Sequence, residues 1–262
     1  MKIVVTVKLV PDTNADKRFD PATNRLVRAG VETVLNPFDE FAIEAALQLK
    51  EKLGADTTVT VCAMAPETGK EIVRKALAMG ADDAVVVSDA ALEGSDLWTT
   101  ASVLAHAIEK NGFDLVLCGT QSTDANTGNL PGQLAELLGV PGVTNVRKLE
   151  LVGNTVSAER ETDNGYQKIA AELPALVSVT KSINTPRYPA LKGIMGAKKK
   201  TIAIWRVAEL GLDHPVGASG AKTEVTNLAP APARGKGRTV SVADGAEGAK
   251  VIVEFLKEKK LL

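Results

Sequence analysis

Apolar runs recur through the first 140 residues, at 3–7 (IVVTV), 58–64 (TVTVCAM), 84–87 (AVVV) and 115–118 (LVLC). They are continuous rather than alternating and rich in valine, which suits strands buried on both faces. Helical patterns lie between them. In 37–53, Phe38, Ala42, Ala45, Leu49 and Leu53 fall on one stripe, with Asn36 as cap, Pro37 in the first turn and Gly54 at the end. Residues 69–79 start behind Thr68, with Glu71 at capping-box spacing, and stop at Gly80. Residues 96–110 follow Ser95 and carry Leu97, Ala101, Leu104 and Ile108. Strand–helix alternation of this kind predicts a parallel sheet with right-handed crossovers.

The pattern changes after Gly142. Residues 146–152, 155–161 and 166–172 read as short strands, with turn signals "GN" (153–154) and "DNG" (163–165) between them. Residues 175–180, "ALVSVT", read as another buried strand, so antiparallel structure is added to the parallel sheet. From Asn184, "NTPRYPALKGIMGAKKK" shows no clean period, and "TIAIW" (201–205) is a possible strand. Residues 227–238, "NLAPAPARGKGR", have a linker's composition. The tail, 246–260, is amphipathic, with Val251, Phe255 and Leu256 against Lys and Glu. A helix there, after a linker and without a core of its own, must dock on its own domain or on another chain.

Composition narrows the classes. The chain has 262 residues, 45% of them hydrophobic, enough for one good core plus an appendage. A net charge of −1 argues against a general nucleic-acid binder. No apolar stretch has a membrane span's length, so direct membrane insertion is not expected. Lys2 and Lys8 enclose too short a run for a signal-peptide core. Cys62 and Cys118, the only cysteines, lie in strand-like runs, which suits a reduced, cytoplasmic protein. With no CxxC and only His106 and His214 as histidines, a metal site is not expected.

The candidate chemistry lies in "LCGTQSTDANTGNLPGQ", 117–133, where a buried strand runs into a glycine-rich loop and then a helix-like run from Gln133 to Leu138. Ligands of open α/β sheets bind beyond the carboxyl ends of strands, and helix amino termini favour phosphate. Gly119, Gly128 and Gly132 permit close backbone approach, and Ser122, Thr123, Asn126 and Thr127 are small donors. The loop holds no Lys or Arg, so backbone and hydroxyl groups would bind the ligand; an ordinary surface loop is the other reading. The loop matches neither GxxxxGK[ST] nor GxGxxG. The first strand ends in "KLVPDT" rather than glycines, which speaks against an NAD-binding fold. "LNPFDE", 35–40, is either the opposite wall of a nucleotide pocket or simply a helix cap.

Taken together, six stretches in register resemble the small (beta) subunit of electron-transfer flavoprotein over nearly the whole chain. They are "VVTVKLVPDT", "LNPFDEFAIEAALQLKE", "RKALAMGAD", "DLVLCGTQSTDANTGNLPGQ", "ERETDNG" and "PRYPALKGIMGAKKK", the last being the most specific. The resemblance implies a heterodimer with an alpha subunit that holds most of the FAD. It also implies a beta subunit that buries AMP in an adenine-nucleotide-binding fold. Carried over, the AMP pocket would use Thr6, Asn36, Pro37, Phe38, Asp39 and Met64. From the loop it would use Gly119, Thr120, Gln121, Ser122, Thr123, Asp124, Asn126, Thr127, Gly128, Asn129, Leu130 and Pro131.

Bifurcating members resemble a GRQAIDGDTAQVGP pattern and place a second FAD where AMP sits. Thr120 here replaces the arginine, and the rest is similar to the AMP-holding branch. "PRYPALKGIMGAKKK" corresponds to the loop that docks on acyl-CoA dehydrogenases and similar flavoenzymes. Leu191 would be the anchor, with Ile194 and Met195 beside it. The alternative is that Leu191 and Met195 pack inward. Glu161 matches a carboxylate that pairs with the alpha subunit's mobile flavin domain, whereas Thr13 stands where the family often has a tyrosine near the flavin.

The expected fold is therefore a doubly wound, mostly parallel α/β sheet of Rossmann-like type over 1–183. It carries an antiparallel extension, and a recognition loop and C-terminal arm over 184–262 contact the alpha subunit. The expected function is an electron carrier between flavin dehydrogenases and a membrane quinone oxidoreductase, without catalytic residues of its own. Two rival classes are an adenylating or ATP-hydrolysing enzyme and a bare nucleotide sensor. The first would need Lys or Arg in 119–132, and the second has no use for the long arm.

Overall fold

The first valine-rich run forms β1 (Lys2–Val7), and an excursion of four short strands follows: β2 (Leu9–Pro11), β3 (Phe19–Asp20), β4 (Arg25–Leu26) and β5 (Thr33–Leu35). Strand–helix alternation then gives α1 (Pro37–Leu53), β6 (Thr58–Met64), α2 (Lys70–Met79), β7 (Asp83–Val87), α3 (Leu97–Asn111), β8 (Leu115–Gly119) and α4 (Leu130–Leu137). Next come β9 (Gly142–Val152), β10 (Thr155–Thr162), β11 (Gly165–Glu172), β12 (Ala175–Val179), α5 (Leu191–Lys199), β13 (Ala203–Trp205), the single turn α6 (Gly217–Gly220) and α7 (Gly245–Glu258). These elements come from a computed structural model that describes residues 1–229, 232, 235 and 237–262.

Nine strands form one sheet in the order β11-β10-β9-β12-β8-β1-β6-β7-β13. From β9 to β13 every pairing is parallel, and only β9–β10 and β10–β11 are antiparallel. Alternate residues of the central strands enter two separate cores. Ile3 and Val5 of β1 pack with Ile43 and Leu47 of α1 and Val73 and Leu77 of α2. Val4 of the same strand packs with Leu104 and Ile108 of α3 and Leu134 of α4. Burial on both faces explains why these strands read as unbroken apolar runs. In β11, by contrast, most positions are exposed, as on a sheet with an uncovered face.

Several local expectations are corrected. In α1, Ala42, Ala45 and Leu49 of the expected stripe are buried, joined by Ile43, Ala46 and Leu47, whereas Phe38 is half-buried and Leu53 is 43% exposed. Thr68 lies in a 3-10 turn ahead of α2, and the side chain of Glu71 turns to Arg74, so no capping box forms. The cap of α3 is Asp96 rather than Ser95; its Oδ1 accepts from the Thr99 N–H at 2.9 Å. The stretch read as aperiodic contains α5.

Close packing seats α5. A Cβ on Gly193 would lie 2.3 Å from the Ala78 carbonyl oxygen of α2, so only glycine permits the approach. Arg74 donates to the Ala197 and Lys200 carbonyls (2.7 and 3.0 Å), which ties the end of α5 to α2. Ahead of α5, Arg187 donates to Glu44 (2.7 Å) and to Glu51 (2.6 Å) on α1.

These contacts move the boundary expected after residue 183. One compact unit runs from Met1 to Thr226, because β13 pairs with β7 and α5 packs on α2. The second unit is Asn227–Leu262. The expected linker overlaps positions 230, 231, 233, 234 and 236, which lie outside the described residues. Within the second unit, Asp244 caps α7 by accepting from the Glu247 N–H at 2.8 Å. Its Ile252 and Phe255 are exposed.

Asp96 also accepts from the Lys222 N–H, the Thr223 N–H and the Thr223 hydroxyl, at 2.8, 2.9 and 2.9 Å, which fastens the end of the first unit to α3. These bonds outweigh partial burial and hold its carboxyl at about 2. A depressed folded-state value gives stability that is present above the unfolded value and lost as pH falls towards 2. Asp96→Ala should therefore unfold at lower urea than the parent at neutral pH, by about 0.5–2 kcal/mol for the lost cap alone. The gap should shrink between about pH 4 and pH 2. A gap that does not change with pH would exclude this role.

Candidate functional site

The chain leaves β1 towards β6 and β7 on one side, then crosses to β8 on the other. The switch point thus lies between β1 and β8, the position where open α/β sheets form a crevice. Thr6, Met64 and Gly119 lie at the carboxyl ends of β1, β6 and β8. Thr6 is 4% exposed, and the neighbouring Cys118 thiol is pushed up to about 12 by burial. Met64 is half-buried against the core on the α3 side of the sheet.

Gly119 fits because it has no side chain. A Cβ there would lie 2.5 Å from Asp39 Oδ1 and 2.8 Å from the Phe38 carbonyl carbon. The strand end therefore passes directly against the first turn of α1, which begins at Pro37. Asn36, 1% exposed, makes no helix cap with its side chain. Instead its Nδ2 donates to Asp39 Oδ1 (2.8 Å) and to the Gln121 carbonyl (2.9 Å), and its Oδ1 accepts from the Thr123 N–H (3.2 Å). Asp39 Oδ2 accepts from the Lys8 N–H at 2.7 Å. Burial drives the Asp39 carboxyl up to about 7 despite these bonds. Both of its oxygens serve the protein.

The rest of the loop divides in two. Thr120 to Asp124 are half-buried, and 125–129 are exposed. Asn126 and Gly128 take left-handed φ angles of 53° and 65°. Among the described residues, none accepts from the N–H groups of Thr127, Gly128 or Asn129. Leu130 and Pro131 then open α4. Thr123 Oγ1 and Gln133 Oε1 are buried without a partner. Free amides ahead of a helix amino terminus suit one phosphate, and orphaned polar atoms call for a water or a ligand. The residues present therefore fit a single phosphate group, with polar atoms left over beside it.

Cations reach this loop after all, from residues remote in sequence. Lys8 Nζ bonds Asp124 Oδ1 at 2.8 Å and Ser122 Oγ at 3.2 Å. Arg28 Nη2 bonds Asp124 Oδ2 at 2.5 Å. Lys17 Nζ donates to the Thr123 carbonyl at 3.0 Å. Asp124's side chain is 1% exposed, and the two cations hold it at about 2 against desolvation. No local motif announced these three residues; their only signal was an excess of positive charge in 8–28. The single Asp124 carboxylate is shared by Lys8 and Arg28, so both cations are engaged with the protein itself.

Of the partner candidates, Leu191, Ile194 and Met195 are 74%, 41% and 60% exposed. At i, i+3 and i+4 they share one helical face. Tyr188, just ahead, is 95% exposed. Leu191 and Met195 thus do not pack inward, and they sit on a helix rather than on a loop. Glu161 is half-buried near the end of β10, opposite Tyr166. Two surface clefts of about 310 and 210 Å³ lie beside β9, lined by Lys148 and Glu150, and do not include the loop.

Fold and crevice together define a Rossmann-like doubly wound protein. The sequence model of the electron transfer flavoprotein domain matches residues 23–210. The chain is 41% identical over 265 residues to an electron transfer flavoprotein subunit beta of Mycobacterium tuberculosis, covering 99% of each. It is 38% identical over 272 residues to that of Megasphaera elsdenii, covering 100% of each. A caffeyl-CoA reductase-Etf complex subunit, CarD, of Acetobacterium woodii is 38% identical over 264 residues, again covering 100% of each. The chain belongs to the electron transfer flavoprotein family, and its relatives are beta subunits. An alpha-subunit partner and a flavin follow from that membership.

Two glycines give a matched test of the crevice. Gly119→Ala should destabilise the fold by about 1–3 kcal/mol, because backbone and a buried carboxylate must shift. Gly132→Ala meets nothing within 4 Å and should be neutral or stabilising by up to about 1 kcal/mol. Urea unfolding of both variants decides the matter, and equal effects would deny the close approach its role.

Proposed function

We propose that this chain is the electron-carrier beta subunit of a cytoplasmic heterodimer. With an FAD-holding alpha subunit it takes electrons from acyl-CoA and related flavin dehydrogenases, as in fatty acid oxidation, and passes them towards a membrane quinone oxidoreductase. The chain itself needs no catalytic acid, base or nucleophile. The flavin supplies the electron chemistry, and this chain positions and docks. The observation that carries the nucleotide part is the row of free amides at Thr127, Gly128 and Asn129 beside the unpartnered Thr123 and Gln133. They suit a structural AMP that is held and not turned over. Thr120, Leu130 and Pro131 complete the wall, with Phe38 opposite.

The alternative reading is a bifurcating beta subunit that holds a second FAD in the same crevice. Co-expression with an alpha subunit, denaturation of the purified heterodimer and mass spectrometry of the released nucleotides separate the two. Stoichiometric AMP is expected. FAD from this crevice, or an empty crevice in folded heterodimer, would overturn the AMP reading.

The apolar face of α5 is the proposed docking point for dehydrogenases. A single exposed leucine on a seated helix fills a partner's pocket at low ordering cost. The apolar side of α7 is the proposed contact for the alpha subunit. Burial of Leu191 contributes roughly 1.5–3 kcal/mol, or about ten- to a hundredfold in affinity. Leu191→Ala should raise the apparent KM for this protein as electron acceptor, with folding stability and bound nucleotide unchanged. Glu161→Ala should instead alter the rate at saturation, because it would act after docking. Steady-state reduction by a cognate dehydrogenase over a range of acceptor concentrations measures both. An unaltered Leu191→Ala curve would mean that docking uses another surface.

A further inference from the structure

The excursion between β1 and α1 has no part in the function so far, yet it is fastened at several points. Asp12 donates its N–H to the Glu32 carbonyl at 2.9 Å, and β2 pairs with β5, so the excursion leaves and returns at one place. Its hairpin, β3 with β4, reaches outward. At the tip, Asn24 donates to the Val225 carbonyl (3.0 Å) and Arg25 to the Gly94 carbonyl (3.1 Å). On the limbs, Lys17 and Arg28 bond Thr123 and Asp124 of the nucleotide loop. The excursion is therefore a strap with one end on the loop and the other near the end of the first unit.

Asp124 is the point where strap and loop join. Its carboxylate is 1% exposed and both oxygens are taken, one by Lys8 and one by Arg28. A carboxylate so engaged has no oxygen left to serve as a nucleotide ligand. We propose that Asp124 is a positioning residue. Its two-cation latch ties the nucleotide loop to the strap and sets how long the nucleotide is retained. Asn36 holds the same loop from the inner side, through Gln121 and Thr123. Residues 121–124 are thus clamped between the α1 start and the strap, while the free amides at 127–129 stay open to the ligand.

The proposal rests on the nucleotide reading of the crevice, and two readouts keep the two apart. The first is release of labelled AMP from the intact heterodimer under a chase of unlabelled AMP. The second is hydrogen exchange of the 121–124 segment in nucleotide-free protein. Asp124→Asn leaves two cations facing each other and should speed release by about tenfold or more. Arg28, half exposed, can be removed without threat to the fold. Arg28→Met should speed release about threefold, and Arg28→Lys should restore most of the retention. Both Met and Asn variants should exchange faster across 121–124.

If the parent holds AMP and both variants release it at the parental rate, the latch is refuted and the nucleotide reading stands. If the parent holds no AMP, the nucleotide reading falls, and exchange alone decides the latch. Faster exchange in Arg28→Met supports it, and equal exchange refutes it.

Discussion

The crevice at the switch point depends on one close approach, that of Gly119 to the first turn of α1. No side chain separates the end of β8 from Phe38 and Asp39. That contact lets Asn36 abandon the cap role its residue type suggests and reach across to Gln121 and Thr123. A helix start normally satisfies its own amides with the cap side chain. Here the side chain is spent on the loop, and Asp39 within the first turn takes over the nearby donors, including the Lys8 N–H. A local rule is broken at the crevice, and the bonds it would have made reappear between segments distant in sequence. Such departures concentrate at sites that serve a ligand.

Two carboxylates beside this loop show how environment sets charge. Asp39 has hydrogen-bond donors on both oxygens but no cation in contact, and burial drives it up to about 7. Asp124 is less deeply buried as a residue but touches Lys8 and Arg28, and is held at about 2. Desolvation acts on both, and the ion pairs decide the sign. Asp124 is therefore ionised at any working pH, while Asp39 stands near its own midpoint around neutrality.

What the sequence disclosed followed from periodicity. Strands buried on both faces announce themselves as unbroken apolar runs, and the glycine loop could be placed at a strand end by its polarity alone. The bounds of α1 were legible because Asn36-Pro37 and Gly54 punctuate it. What was not legible depends on contacts between remote segments. Lys8, Lys17 and Arg28 lie far from 119–131 in the chain, so a loop without Lys or Arg looked bare of cations. Likewise α5 was hidden because its glycines break the helical pattern. Gly193 is required by packing against Ala78 rather than by any turn, and only the partner helix reveals that. Arg187 looked like part of an exposed motif, yet its guanidinium sits on Glu44, which is 4% exposed.

That last contact joins two regions the function uses separately. The start of α1 faces the nucleotide loop through Asn36 and Asp39. A little further along the same helix, the Phe41 carbonyl accepts from Asn184 at 3.0 Å, and Glu44 and Glu51 hold Arg187. The segment that presents Tyr188 and Leu191 is thus rooted on the helix whose first turn shapes the crevice. On the proposed nucleotide reading, a nucleotide that is held and not turned over has a physical purpose in such an arrangement. Whatever binds the folded crevice and not the unfolded chain adds stability by mass action. Part of that stability would fall on α1, to which the segment leading into α5 is fastened through Asn184 and Arg187. With the proposed docking face on α5, α1 would hold that face and the crevice in one frame.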